Sequence, residues 1–260
     1  MAAMELGSSM SWGSPNQARF RQRDHMLVCF AEDLLKEQGL VSFRFSELAP
    51  EARCSAGTLY KHFSCKEDLL IAIFARHMEH IVERQPYLMS CELSYAERWV
   101  AMHLFAVLAS QQASWTLGLN GLGVAPKVLE QASEYRIQQL QMRIDQFYST
   151  ILRVVESARI QGELNASDSQ VNMVHSMLTY LERGACGSRD NPLMVTAITN
   201  LDPRQLFDAF AVFINSLEWT APLRADSFTR VMAEVEHQLA ECEREREEER
   251  KVLNAMRAAS

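Results

Sequence analysis

The residues whose types and spacing best suit chemistry are Ser55, Ala56, Gly57, Thr58 and Lys61, and the chemistry they suit is the reading of base edges. Ser55, Ala56 and Thr58 are short enough to let a helix come close to a groove, Gly57 permits close backbone approach, and Lys61 can reach guanine or a phosphate. Arg44, just ahead of them, is a further candidate for phosphate contact. Bond-making chemistry has no comparable support. The chain carries no paired carboxylates, nucleophile elbow or supported metal cluster, so no catalytic residue, metal ligand or cofactor is expected. His77 and His80 stand three apart, a spacing that can chelate a metal, but nothing completes the set, and they are read as solvated or internally satisfied histidines. The glycines of 118–126 lack a preceding strand and the spacing of a nucleotide fingerprint, and are read as a loop beside a binding cavity.

The elements that must position the recognition residues form a helix-turn-helix. Leu48 and Ala49 face a neighbouring helix, small Ala49 allows a close crossing, and Leu59 packs back against it. Ser55 stands at the N-cap of the second helix, roughly residues 56 to 63, which the motif lays in a DNA major groove. Pro50 requires the first helix of the pair to begin late, near Ser46, or to be distorted, because a proline deep in a helix costs about 3 kcal/mol. Ser64-Cys65-Lys66-Glu67 reads as a capping box that opens the third helix and turns its N–H groups outward.

The run Gly57-Thr58-Leu59-Tyr60-Lys61-His62-Phe63, followed by Lys66-Glu67-Asp68-Leu69-Leu70, resembles the signature of the TetR/AcrR family of bacterial transcription regulators, and the resemblance covers about Arg19 to Arg84. It implies a homodimer that binds a roughly palindromic double-stranded DNA operator, most simply as a repressor, and lets go when a small effector enters a C-terminal helical domain. It also implies that Tyr60, His62 and Lys66 contact backbone phosphates; the plain alternatives are a core aromatic for Tyr60 and a buried imidazole for His62. Where the family usually has Gly-Val in the turn, this chain has Arg53-Cys54, so Arg53 either accepts a mildly strained turn or the turn is shaped differently.

Composition fits an all-α chain, since helical spacing of apolar residues recurs while strict alternation is nearly absent. The net charge of −7 over 260 residues conceals a local excess of base: residues 19–66 hold eight Lys/Arg against six Asp/Glu. No stretch reaches the roughly 18 to 20 apolar residues a membrane span needs, and a cytoplasmic protein without membrane contact is expected. The six cysteines are scattered without close pairs, as reduced thiols are.

Along the chain we expect a tail over 1–15, a helix-turn-helix DNA-binding domain over 16–66, a helical ligand-binding and dimerisation domain over 67–225, and a C-terminal helical extension over 226–260. A first helix runs to Gln38 with Gly39 as its stop, and a connecting helix from Lys66 stops at Pro86. Further helices run from Ser94 to about Ala113, as one long helix from about Pro126 or Val128 to Gln161, from Ser167 to about Gly184, and from Asp202 to about Trp219. Trp99, His103, Trp115, Met142, Phe147, Met177 and Tyr180 are candidates for a pocket that takes a hydrophobic or aromatic effector, and equally for plain core. Val171, Val174, Leu178, Leu181, Phe207, Phe210, Phe213, Ile214 and Leu217 are more apolar surface than one chain needs, which predicts a two-fold four-helix interface. The extension, almost wholly charged from Glu241 to Lys251, braces the dimer, meets another protein or stands idle in solvent. The alternative to an effector switch is a ligand-independent regulator or DNA-bound assembly factor of the same fold, working through protein partners.

Overall fold

The computed structural model describes residues 15–112, 125–188 and 202–259. The expectations for the N-terminal tail, for most of the 118–126 glycine run and for Trp115 fall outside them. The fold is all-α, with one small two-stranded ladder.

Helix α1, Pro15–Ser42, breaks its helical geometry at Gly39 (φ 74°, ψ 160°), where the sequence places a stop. A 3-10 turn, Phe45–Glu47, leads into the short α2, Leu48–Glu51. Pro50 therefore falls within the first turn of α2, where its missing N–H is no loss. Helix α3, Ala56–His62, follows, and α4, Lys66–Ser90, runs from the head into the body. The head core joins Leu27, Phe30, Ala31 and Leu34 of α1 to Leu48, Ala49, Leu59 and Phe63. It also takes Leu69, Leu70 and Ile73 from α4, so this helix serves both units.

Three expectations about α4 and its successors are corrected. The helix passes through Pro86 to Ser90, because Leu88 beyond the proline is fully buried and its burial offsets the one lost backbone bond. The cap of α4 is shifted one residue: Cys65 is the N-cap, and the carboxylate that takes the Ser64 N–H (2.9 Å) and hydroxyl (2.5 Å) is Asp68, not Glu67. The single long helix expected from Pro126 is two, α6 (Pro126–Gln131) and α7 (Glu134–Ile160). Ser133 between them is extended and donates its N–H to Asp68 Oδ1 at 2.6 Å, which fixes the break.

The Ser94 capping box is present, with Ser94 N to Glu97 Oε2 at 3.0 Å and Glu97 N to Ser94 Oγ at 3.3 Å, and opens α5, Tyr95–Gln112. Ser167 and Gln170 do the same for α8, Asp168–Ser188, and Asp202 caps α9, Pro203–Ile214. Helix α9 ends before the expected Trp219, since β2 (Glu218–Trp219) pairs antiparallel with β1 (Leu164–Asn165), Leu164 opposite Trp219. Helix α10, Ser227–Ala259, closes the fold. Trp99, Phe105, Phe147, Phe207 and Phe210 fill the body core, and α10 lays Val231, Val235 and Leu239 onto it.

Candidate nucleic-acid interface

Helix α3 turns its recognition residues outward. Ser55, extended at φ −73° and ψ 153°, accepts the Thr58 N–H on its hydroxyl at 3.0 Å, a cap worth about 1 kcal/mol. Ser55 and Thr58 hydroxyls also meet at 2.9 Å. Ala56, Gly57 and Lys61 are exposed, as is Arg44 ahead of the motif. Leu59 and Phe63, on the opposite side, are buried and orient the helix. Arg53 holds φ 47°, so the turn keeps a left-handed residue where glycine would be at ease.

The residues expected at phosphates divide. Tyr60 is 58% exposed, its ring in edge contact with Phe45 at 5.5 Å. His62 turns inward: its side chain is 5% exposed, stacked under Phe20 at 4.1 Å, with Nδ1 3.1 Å from Asp24 Oδ1. Lys66 is half-buried, donating to the Phe43 carbonyl at 2.8 Å with its ammonium over the Phe43 ring. In this conformation neither side chain is presented to a ligand, and both tie the head together.

The head is latched to the body beside these residues. Arg136 of α7 donates to Asp24 Oδ2 at 2.9 Å and Oδ1 at 2.5 Å, and to the His62 carbonyl at 3.0 Å, while its guanidinium lies 4.5 Å from the Phe63 ring centre. One side chain thus touches α1 and the end of α3. A second tie is Asp68, whose carboxylate spans the starts of α4 and α7. Burial pushes that carboxyl up, but the bonds from Ser64 and Ser133 outweigh it and leave it below the ordinary carboxylate range. Nothing in the sequence pointed to Asp24 or Arg136: they are 112 residues apart, and each alone looks like a surface charge.

Residues 30–73, the segment that builds this head, match the family described as bacterial regulatory proteins, tetR family. The chain carries a tetR-like head. It is 26% identical over 145 residues, 55% of this chain and 72% of the other, to the fatty acid metabolism regulator protein of Bacillus subtilis. The fold is shared with a TetR/AcrR-family regulator of Thermobifida fusca at TM-score 0.56 and 18% identity, covering 75% of this chain and 97% of that one. It is shared also with FadR of Bacillus subtilis, solved with stearoyl-CoA, at TM-score 0.51 and 18% identity, over 75% and 99%. All three are regulators.

In the helical body the expected effector residues do not surround one space. Trp99, His103 and Phe147 are buried in the core, whereas Met142, Met177 and Tyr180 are exposed. His103 donates or accepts through Nδ1 at 2.6 Å from Glu182 Oε2, and its Nε2 has no partner; nearby His175 likewise has an unpartnered, buried Nδ1. Burial, with His103 alongside, pushes His175 down to about 4. The expectation that Val171, Val174, Leu178, Phe207, Phe210, Ile214 and Leu217 face a second copy is corrected: all are buried in the chain's own core, with Leu181 and Phe213 packed against it. The apolar side chains that α8 and α9 do expose are Met173, Met177, Tyr180 and Val212. His77, buried, meets Ser110 Oγ at 3.1 Å, and burial together with the Arg246 charge pushes it down to about 3.

Proposed function

We propose that the chain is a homodimeric repressor that reads a palindromic operator with α3 and is released by a hydrophobic effector held in the helical body. Ser55, Ala56, Gly57, Thr58 and Lys61 meet base edges, and Arg44 and Tyr60 meet phosphates. The observation that carries the reading is Gly57. A Cβ there would meet only Ser55 Oγ at 3.8 Å, so no internal packing requires a glycine, and its bareness serves a surface that comes in from outside. His62 and Lys66 act through position: they hold α3 against α1 and the chain before α2.

A second copy docks on the stripe Met173, Met177, Tyr180, which recurs at helical spacing along α8, with Val212 of α9 beside it. That face holds two heads at a fixed separation, and the operator half-sites follow it. The effector is hydrophobic or aromatic with a polar group that satisfies His103 Nε2 and His175 Nδ1; the fatty acid regulator among the relatives supports an acyl compound. The units are the head over 16–66, sharing α4 with the body over 67–225, and the extension over 226–260, and the protein works in the cytoplasm. No helix among the described residues is long and apolar enough to cross a membrane.

Selection of bound DNA from random fragments tests the proposal. A palindrome whose complex dissociates on adding long-chain fatty acids, acyl thioesters or simple phenols is the expected result. A half-site without symmetry removes the dimer, and a complex indifferent to the whole panel removes the effector.

A further inference from the structure

The C-terminal helix does more than cover the body. From Arg230, which bonds Glu97 at 2.5 Å, α10 runs back toward the head, pairing Glu245 with Arg84 and Glu249 with Arg76 of α4. At its far end it meets α1. There His25 and Cys29, one turn apart on α1 and so on one face, approach Glu249: His25 Nε2 lies 2.5 Å from Glu249 Oε1 and 3.8 Å from Cys29 Sγ. The three ligand atoms lie within 4.8 Å of one another.

We propose that His25, Cys29 and Glu249 form a site for a divalent transition metal of the zinc class, which staples α10 to the first helix of the DNA-binding head. One nitrogen, one sulfur and one oxygen are a donor set that zinc accepts, with water in the fourth position. Around a tetrahedral zinc these atoms stand about 3.4–3.6 Å apart, from metal–ligand lengths of about 2.0–2.3 Å. The His25–Cys29 separation is close to that already, and Glu249 needs to withdraw by about 0.9 Å to admit the ion. Its second oxygen is held by Arg76, which is itself fixed by Glu32 at 2.9 Å, so the carboxylate has the outer support that metal ligands use. Access is open from both sides: Cys29, Glu32 and Arg76 line a cavity of about 240 Å³, and His25 and Arg76 line a neighbouring one of about 210 Å³.

The staple gives the extension a purpose that ion pairs alone do not. With metal bound, α1, α4 and α10 become one rigid corner; without it the last turns of α10 rest on the ion pairs that Glu245 and Glu249 make with the buried Arg84 and Arg76. Co(II) titrated into the full chain, reduced and freed of metal by chelator, tests the site. The expected result is a single equivalent bound with a thiolate-to-cobalt charge-transfer band, displaced by Zn(II). The band disappears in Cys29→Ser, and affinity falls at least about tenfold in His25→Gln and Glu249→Gln, each checked for unchanged helicity by circular dichroism. Zn(II) should also slow proteolytic cutting within residues 245–259. No band in the wild-type chain, or a band that survives Cys29→Ser, overturns the site; cutting at the same rate with and without Zn(II) overturns the staple.

Discussion

Arg136→Met breaks the latch between body and head while keeping the length and apolar stem of the side chain. The arginine is 5% exposed and Asp24 17%, so the pair is largely removed from water. Losing one partner of a buried ion pair costs about 3–5 kcal/mol, because the other charge is left unpaired. Here Asp24 keeps His62 at 3.1 Å and some access to water, which puts the expected loss at the low end, about 3 kcal/mol. In a chain of this size that lowers Tm by about 6–12 °C. Asp24→Asn removes the same charge pair from the other side, so the double variant should be less damaged than the sum of the two, by about 1–3 kcal/mol. Urea unfolding of the four proteins, followed by circular dichroism, measures the cycle. A loss below about 1 kcal/mol in Arg136→Met, or additivity within about 0.5 kcal/mol, would refute a latch built on this pair.

Arg53→Gly relieves a left-handed residue that costs about 1–2 kcal/mol, offset by the added freedom of glycine in the unfolded chain; we expect a net gain of up to about 1 kcal/mol, and a lower urea midpoint would contradict it. Lys61→Ala should change the sequence preference of the head or reduce the salt dependence of binding by about one counterion, and an identical operator profile with an identical salt slope counts against contact there. Met177→Glu with Tyr180→Glu should halve the solution mass seen by ultracentrifugation without loss of helicity; a mass unchanged from wild type moves the dimer face elsewhere. His77 is held down to about 3 against an ordinary 6.5, so the folded chain takes up its proton later than the unfolded one. The stability it carries is complete above pH 6.5 and drains as pH falls toward 3, by about 2 kcal/mol at pH 5. His77→Gln should flatten that part of the stability curve, and an unchanged slope would assign the acid loss to other groups.

The reading head was legible because its constraints are local. Ala49, Leu59 and the Ser55 cap lie within eleven residues, and helix geometry converts such spacing into contact. Pro50 even announced that α2 begins late. The shifted cap at Cys65 was not legible, since Glu67 and Asp68 both suit a first turn and the bond from Ser133, which comes from across the fold, goes to Asp68. The dimer face failed for a different reason. Val171, Val174 and Leu178 form the stronger apolar stripe of α8, and a stripe does not reveal whether its partner is the same chain or a second copy. The body takes the stronger stripe for its own core, which leaves the weaker one, Met173, Met177 and Tyr180, for the outside.

On the proposed function, the same long-range ties set how strongly an effector can act. A ligand in the body lowers operator affinity only by as much as it prefers a conformation in which the heads are badly placed. The body holds α3 through Arg136 and the start of α7, and holds α4 through Asp68 and Ser133. Any movement of α7 therefore pulls on α1, α3 and α4 at once, rather than bending a free linker. If the effector state must strain or open the latch, the roughly 3 kcal/mol held there limits the coupling to about 150-fold, which is the upper end of ordinary allosteric effects. Arg136→Met should then lower the effector concentration needed for release and weaken operator binding without effector, two effects that a change in α3's own contacts cannot produce together. Operator titrations at graded effector concentration separate them: a weakened complex with unchanged effector response would mean that Arg136 stabilises the head but carries no signal.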